Sequence, residues 1–148
     1  MRSRRVFLLS VFALLLGCAS STAQFSGLAA PDQGKAVIYI YRVDLYTGNL
    51  RVAPNVRVNY QSIGTLMKFG YFRIEVDPGP THVALYRLDR GDDSDIYWPA
   101  AKDAFVNLQL APNSMYFIEL SLDRRIFSLR ETSRDTALRS LPDLYRLN

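Results

Sequence analysis

Between residues 35 and 130 the sequence alternates short β-type segments with turns, which predicts an all-β fold. Several segments place apolar side chains at every second position, the period of a strand that buries one face. Residues 35–42 are instead β-branched or aromatic on both faces, as in a central strand covered on both sides. Turn residues separate the segments, and Asp77-Pro78-Gly79 fits a type II turn. The seven predicted strands cover residues 35–42, 55–60, 71–76, 81–88, 104–110, 115–122 and 126–130.

Seven short strands at this regular spacing predict an antiparallel β-sandwich. A short C-terminal helix follows, which Thr132 or Ser133 can cap and which Pro142 ends. The apolar face of this helix consists of Ala137, Leu138 and Leu141. The side chains that we expect to point into the core include Phe72, Ile74, Val76, Ile118 and Leu120.

The first 17 residues have the parts of an export signal: three arginines near the start, then an apolar run over residues 6–16. This run is shorter than the roughly 20 apolar residues that cross a bilayer. It ends in Leu15-Leu16-Gly17-Cys18, which resembles the lipobox of bacterial lipoproteins. The resemblance implies cleavage before Cys18 and acylation of that cysteine, with palmitate among the acyl chains. Cys18 is the only cysteine and has no intramolecular disulfide partner.

The predicted acylation of Cys18 implies that the protein is exported. It also implies that the protein is attached to a membrane, its expected partner, through the acyl chains. Several acyl chains form a durable anchor, whereas one chain is marginal. Ala19 and Ser20 follow the cysteine in place of an aspartate, so in a Gram-negative host we expect the outer membrane, facing the periplasm. Residues 3–8 also resemble the twin-arginine export motif, so the export route stays open between that route and general secretion.

The sequence predicts that the mature protein has one folded domain, with a tether before it and a helix and tail after it. Residues 18–33 are mostly small or polar with little periodicity and predict a flexible tether, whose extended reach would be about 50 Å. Residues 34–131 form the predicted sandwich domain, and residues 132–148 the helix and tail. Removing the signal peptide at residues 1–17 takes three arginines from the 18 basic residues and leaves 15 against 14 acidic ones. Without a dense basic patch, nucleic acid is not an expected partner.

Several turns and aromatic positions of the domain form a recognisable pattern, over residues 34–36, 39–42, 63–66, 70–72, 78–82 and 115–117. These segments resemble the domain-of-unknown-function 2846 family, which consists largely of small bacterial lipoproteins. This resemblance implies a β-sandwich envelope lipoprotein and names no ligand. Family members often carry Asn-Gly or Asp-Gly before the Ile-Gly step, whereas this chain has Asn59-Tyr60-Gln61-Ser62, so we expect a longer hairpin there.

Few residues offer catalytic or metal chemistry. His82 is the only histidine and is expected to pack or hydrogen-bond at a strand end, and an acylated Cys18 cannot act as a nucleophile. Four aspartates crowd residues 89–95, but their spacing does not fit an EF-hand, so we expect a solvated loop. We therefore predict no metal, no cofactor and no enzymatic activity. The main alternative chemistry is a hydrolase using paired carboxylates such as Glu75 and Glu119.

Tyr97 and Trp98 are the candidate binding residues, because they lie beside the charged loop and combine an apolar face with a polar edge. The sequence favours a noncatalytic envelope module that binds a protein partner or a cell-wall component. An assembly component of an envelope machine, such as a secretion system, and the carboxylate hydrolase are the alternatives.

Overall fold

The computed structural model of the chain describes residues 23–43, 53–86, 105–123 and 126–148. Within these ranges there are nine strands, one α-helix and a one-turn 3-10 helix. No helix in the same ranges is long and apolar enough to cross a membrane. The elements are β1 (Ala36–Arg42), β2 (Asn55–Val58), β3 (Gln61–Thr65), β4 (Gly70–Val76), β5 (Gly79–Tyr86), β6 (Phe105–Leu110), β7 (Met115–Asp123), β8 (Ile126–Thr132), α1 (Arg134–Ser140), the 3-10 helix (Leu141–Asp143) and β9 (Tyr145–Arg146).

The strands form two sheets, so the predicted mainly β fold with a short C-terminal helix is confirmed. The five-stranded sheet has the order β8-β7-β1-β4-β9, and the four-stranded sheet has the order β3-β2-β5-β6. Most pairings are antiparallel as expected, but β1 pairs with β7 and β4 pairs with β9 in parallel. Parallel neighbours need a long crossover. The strands of the four-stranded sheet make up most of the connection between β1 and β7, which is long enough for a parallel pairing.

The main core lies between the sheets. The side chains of Ile38 and Ile40 on β1 are fully buried there, opposite Val56 and Val83 of the other sheet. Phe72, Ile118 and Leu120 are buried in this core, and Ile74 and Val76 pack against it partly exposed, so all five point inward as predicted.

A second apolar layer covers the outer face of the five-stranded sheet. The side chains of Val37, Tyr39 and Tyr41 project from β1 on this side and are almost completely buried. Ala137 and Leu141 pack on them from the C-terminal helices. Ser133 caps α1, as predicted, by accepting a hydrogen bond from the backbone N–H of Thr136 at 3.2 Å. This second layer explains why β1 is apolar on both faces.

Residues 23–33 lie on this same outer face, although the sequence predicts them as part of a flexible tether. The ring of Phe25 makes edge contacts with Tyr39 and Tyr71, with centroids 6.5 and 5.7 Å away. The backbone N–H of Ala29 donates to the Tyr39 hydroxyl at 3.0 Å. Apolar Phe25 and hydrogen bonds to the sheet thus hold a segment whose composition reads as a linker. We call residues 23–33 the strap; residues 18–22 of the predicted tether lie outside the described ranges.

Two further expectations differ from the structure at the β2–β3 connection. Asn59 and Tyr60 have φ angles of 48° and 68°, and Val58 pairs with Gln61. Two residues of positive φ between paired strands make a tight turn of type I′, so the expectation of a longer hairpin is wrong. Tyr60 belongs to this turn and is 74% exposed, not part of a strand that continues to residue 60. β3 itself was not predicted, because only Ile63 interrupts its small and polar residues.

Candidate functional site

The outer face of the four-stranded sheet carries three aromatic rings in a row, two of them exposed and the middle one half-buried. Tyr60 comes from the β2–β3 turn, His82 from β5 and Phe105 from β6. The centroid of the His82 ring lies 5.4 Å from that of Tyr60 and 5.2 Å from that of Phe105. We call these three residues the aromatic strip. Pleating produces it, because the alternate side chains of β5 and β6, including Val83 and Leu108, point into the core.

The outermost ring of the strip adopts an uncommon backbone conformation. Tyr60 has a φ of 68° and a side chain that is 74% exposed. Glycine or asparagine fits the left-handed region better than an aromatic residue does. Burial of the ring in the core does not offset this conformational cost. Exposed residues in sparsely populated conformations often have a functional reason.

His82 is held in place by neutral groups. Its Nδ1 lies within hydrogen-bond distance of the amide oxygen of Asn107, at 2.7 Å. Its backbone N–H donates to the side-chain oxygen of Asn59 at 2.9 Å, and its carbonyl accepts from the Asn59 N–H at 2.8 Å. His82 therefore packs and hydrogen-bonds as predicted, but it lies inside β5 and not at the end of a strand. These contacts give it a structural role in orienting the strip.

An arginine–tyrosine pair extends the same surface. The guanidinium carbon of Arg57 on β2 lies 4.0 Å from the centroid of the Tyr86 ring on β5. An arginine over a tyrosine face is a cation–π contact, and both residue types are enriched in the parts of protein interfaces that carry most binding energy. Among the residues that the structure describes, this face thus offers planar apolar groups with polar edges and the guanidinium of Arg57.

The sequence-predicted site residues Cys18, Tyr97 and Trp98 lie outside the described ranges, as does the aspartate cluster at residues 89–95. The segment that contains the last three of these features joins Tyr86 to Phe105, and both of these residues belong to the face that carries the strip. Among the described residues, no group of three or more His, Cys, Asp or Glu side chains could hold a metal ion.

Glu75 and Glu119 are not brought together. They pair with Val37 and Tyr41, four residues apart along β1, which separates them by about 13 Å along the strand direction alone. Paired glycosidase carboxylates lie within about 10 Å of each other.

Each of these carboxylates is also occupied by another partner. Arg73 donates to Glu75 at 2.7 Å and holds the pKa of that carboxyl below its ordinary value. Glu119 accepts from Arg130 at 3.0 Å and from the Tyr41 hydroxyl at 3.2 Å. Burial raises the pKa of Tyr41, so its hydroxyl keeps the proton that it donates. Both glutamates therefore serve local structure.

A surface cavity of about 350 Å³ lies at the β7 side of the five-stranded sheet, and neither of these two glutamates lines it. Its lining includes Phe117, Thr132 and a single carboxylate, that of Glu131. A hydrolase site would need converging acids in such a pocket. This cavity does not provide them.

Two residues of the strip were not recognised as candidates from the sequence. Period-two alternation over residues 55–60 places Tyr60 on the inward face with Val56 and Val58, but the strand ends at Val58. In β6 the same alternation places Phe105 on the polar face with Asn107 and Gln109, which is where it lies. A large aromatic on an otherwise polar face was therefore the one available signal. Comparison with models of known protein families and with curated proteins finds no match for this chain.

Proposed function

We propose that the protein is a lipid-anchored envelope protein whose sandwich is noncatalytic and binds a protein partner through the aromatic strip. The observation that carries the binding assignment is the strip itself: three rings in contact on a sheet face, with Tyr60 74% and Phe105 37% exposed. Exposed apolar groups rimmed by polar residues mark interaction sites. The anchor and the envelope location rest on the Leu15-to-Cys18 sequence.

The arrangement of the rings favours a protein over a glycan. The planes of Tyr60 and His82 differ by 24° and those of His82 and Phe105 by 37°, so neighbouring rings stack partly face to face. A sugar needs a free ring face, and stacking covers part of the faces of this strip. The ring edges remain available to backbone and side-chain groups of a partner, and Asn59 and Asn107 beside them are exposed although their amide oxygens contact His82. The proposed ligand is therefore a protein surface.

The anchor is tested by replacing Cys18 with serine. We expect the wild-type protein to incorporate radiolabelled palmitate and to fractionate with the outer membrane of a Gram-negative host. The Cys18→Ser variant should do neither, and globomycin should cause the unprocessed wild-type precursor to accumulate. A wild-type protein that takes up no palmitate contradicts the anchor. Recovery in the inner membrane contradicts only the predicted sorting.

The binding surface is tested with two matched variants. Asparagine tolerates positive φ, so Tyr60→Asn removes the outermost ring of the strip without disturbing the turn. Phe69→Asn makes the same change elsewhere, because Phe69 is 49% exposed and has a φ of 54°. Affinity purification from crosslinked envelopes should recover a partner with the wild type and with Phe69→Asn, and lose it with Tyr60→Asn.

Other results of this purification would redirect the assignment. Recovery of the same partner with Tyr60→Asn contradicts the proposed surface. If Trp98→Ala loses the partner while Tyr60→Asn keeps it, the binding surface lies in residues 87–104. If purified peptidoglycan sediments with the wild type and not with Tyr60→Asn, the strip binds the cell wall in place of a protein.

A further inference from the structure

The strap leaves the domain at a defined place. At its first described residue, Ala23, the carbonyl accepts from the backbone N–H of Arg146 at 2.7 Å, and Gln24 forms a bridge with Tyr145. The strap therefore ends beside β9, at the edge of the five-stranded sheet. A chain that continues toward Cys18 must start from this edge.

Three large apolar side chains are exposed at the same edge. Met67 is 52% exposed, Phe69 49% and Tyr145 49%. The backbone N–H of Tyr145 donates to the carbonyl of Phe69 at 2.8 Å, and Met67 lies in the turn that leads into β4. We call these three residues the edge patch. It is separate from the aromatic strip, since β3 spans five residues between Tyr60 and the turn that carries Met67.

Phe69 repeats the conformational feature seen at Tyr60. Its φ is 54°, so a half-exposed aromatic again occupies the left-handed region in which asparagine or glycine is preferred. Gly70, the next residue, has no room for a side chain, because a Cβ there would meet Leu147 at 2.5 Å. The turn is thus fixed tightly against the C-terminal residues while its aromatic side chain stays outside.

Basic residues flank the edge patch in the sequence. Lys68 lies between Met67 and Phe69, and Arg146 follows Tyr145. The nearest acidic residue along the C-terminal chain is Asp143, two positions before Tyr145. Aromatic residues together with lysine and arginine are characteristic of protein surfaces that lie in the headgroup region of a bilayer. Lysine and arginine are also attracted to anionic lipids.

The docked strap shortens the connection to the anchor. Five residue steps separate Cys18 from Ala23, and fully extended they reach at most about 18 Å, in place of the about 50 Å expected of a free tether. Acyl chains on Cys18 would therefore keep the β9 edge close to the bilayer. The strap brings the exposed edge patch within reach of the headgroups.

We propose that the edge patch docks on the lipid bilayer surface and seats the domain against the membrane. This inference rests on the proposed acylation of Cys18, which supplies the first point of attachment. Insertion of Met67, Phe69 and Tyr145 among the headgroups supplies a second one, and the exposed Arg146 beside them attracts anionic lipid. The aromatic strip, on the outer face of the other sheet, is left accessible to its partner.

The test measures the environment of the patch in vesicles. Acylated Cys18 does not react with thiol reagents, so Met67→Cys carries the only free thiol and can be labelled with an environment-sensitive nitrobenzoxadiazole dye. The labelled lipoprotein is reconstituted into vesicles of three parts phosphatidylethanolamine to one part phosphatidylglycerol. Gln109→Cys, an exposed position of β6 paired with Pro80, serves as the control label. Palmitate incorporation is measured in the same preparations.

We expect the emission at position 67 to shift to the blue and to be quenched several-fold by nitroxide-labelled lipid, with little quenching at position 109. Adding Phe69→Asn should reverse most of the quenching at 67, whereas adding Tyr60→Asn should not. Palmitate incorporation without quenching at 67 overturns the docking inference and leaves the anchor intact. A blue shift that depends on protein concentration and is insensitive to lipid nitroxide also overturns it, because a second protein then covers the patch. Absence of palmitate overturns the anchor and, with it, this inference.

Discussion

The outer face of the five-stranded sheet is covered, whereas the outer face of the four-stranded sheet carries accessible side chains. On the five-stranded sheet, Tyr39 and Tyr41 are 1% and 0% exposed beneath the strap and the C-terminal helices. On the four-stranded sheet, the outward side chains of His82 and Phe105 remain partly accessible. The outer face of the five-stranded sheet thus forms a second core, and the outer face of the four-stranded sheet carries aromatic rings that solvent can reach.

The strand sequences account for this difference. β1 places valine and tyrosine on its outer side, so the protein must cover that face to remove its apolar area from water. β6 alternates Val106 and Leu108 with Asn107 and Gln109, and such polar residues need no cover. The aromatic rings of the strip are the exception on this otherwise polar face. We therefore assign the binding role to them. The following experiments change one face and then the other.

The largest loss of stability is expected for a fully buried residue of the second apolar layer. Leu141 is 0% exposed on the outer face of the five-stranded sheet, so Leu141→Ala should lower the free energy of unfolding by about 2–5 kcal/mol. Leu138, half-buried on α1, is the matched control, and Leu138→Ala should cost clearly less. Urea denaturation of both variants measures the difference. Equal losses would mean that this face is not a packed core.

Removing the ring of Phe25, which holds the strap on the sheet, should lower the free energy of unfolding by a smaller amount. Phe25 is half-buried, and its edge contacts to Tyr39 and Tyr71 disappear in Phe25→Ala, at a cost of about 1–2 kcal/mol. Ser26→Ala, at an exposed neighbouring position, is the control and should change little. Amide hydrogen exchange of residues 23–30 should accelerate in the phenylalanine variant alone. If both variants exchange like the wild type, the strap does not depend on this ring.

The Glu75 carboxylate, on the covered face, should make a pH-dependent contribution to the stability of the folded protein. Arg73 donates both to Glu75 and to the strap carbonyl of Ala30, the latter at 3.0 Å. The hydrogen bond from Arg73 lowers the pKa of Glu75 below 4.5, so the pair stabilises the folded state above pH 4.5 and loses this effect as the pH falls through the folded-state pKa.

Glu75→Gln should therefore lower the Tm at neutral pH, and the deficit should shrink as the pH falls below 4.5. Glu131→Gln, which removes an exposed carboxylate of β8, is the control for the change in net charge. Thermal melts across the acidic range test both variants. A deficit that stays constant down to the lowest pH would show that the carboxylate charge is not its source.

The smallest effect on stability is expected on the uncovered face. Tyr60→Asn should change the free energy of unfolding by no more than about 0.5 kcal/mol, because the ring is exposed and asparagine suits the turn. Urea denaturation compares it with Tyr39→Ala, whose ring is buried on the covered face. A loss of several kcal/mol in Tyr60→Asn would identify the strip as a structural element and not as a binding surface.

Local patterns predicted most of the sandwich. Alternation identified the strands from β4 to β8 with end errors of a few residues, and Ser133 identified the start of α1. Period-two patterns cannot reveal which strands become neighbours, so the parallel pairing of β1 with β7 was out of reach. β9 has two residues and depends on backbone pairing with β4, for which it carries no sequence signature.

The same limits apply to the candidate site. Small and polar residues made the strap look like a linker, and only contact with Tyr39 shows that Phe25 holds it down. His82 was recognised as a packing residue, but its two aromatic neighbours come from a turn and from another strand. A row assembled from three elements has no linear pattern. It becomes visible only when the register of β5 and β6 is known.

The central claim is that the outer face of the four-stranded sheet contacts a protein partner, and photocrosslinking in intact cells tests it most directly. A benzoylphenylalanine side chain at Phe105 would keep an aromatic group in the strip, and the same side chain at Glu131, an exposed position on the other sheet, serves as the comparison. We predict one discrete protein adduct from position 105, absent from position 131 and lost when Tyr60→Asn is added. Adducts of equal yield from both positions, or from position 131 alone, would contradict the account.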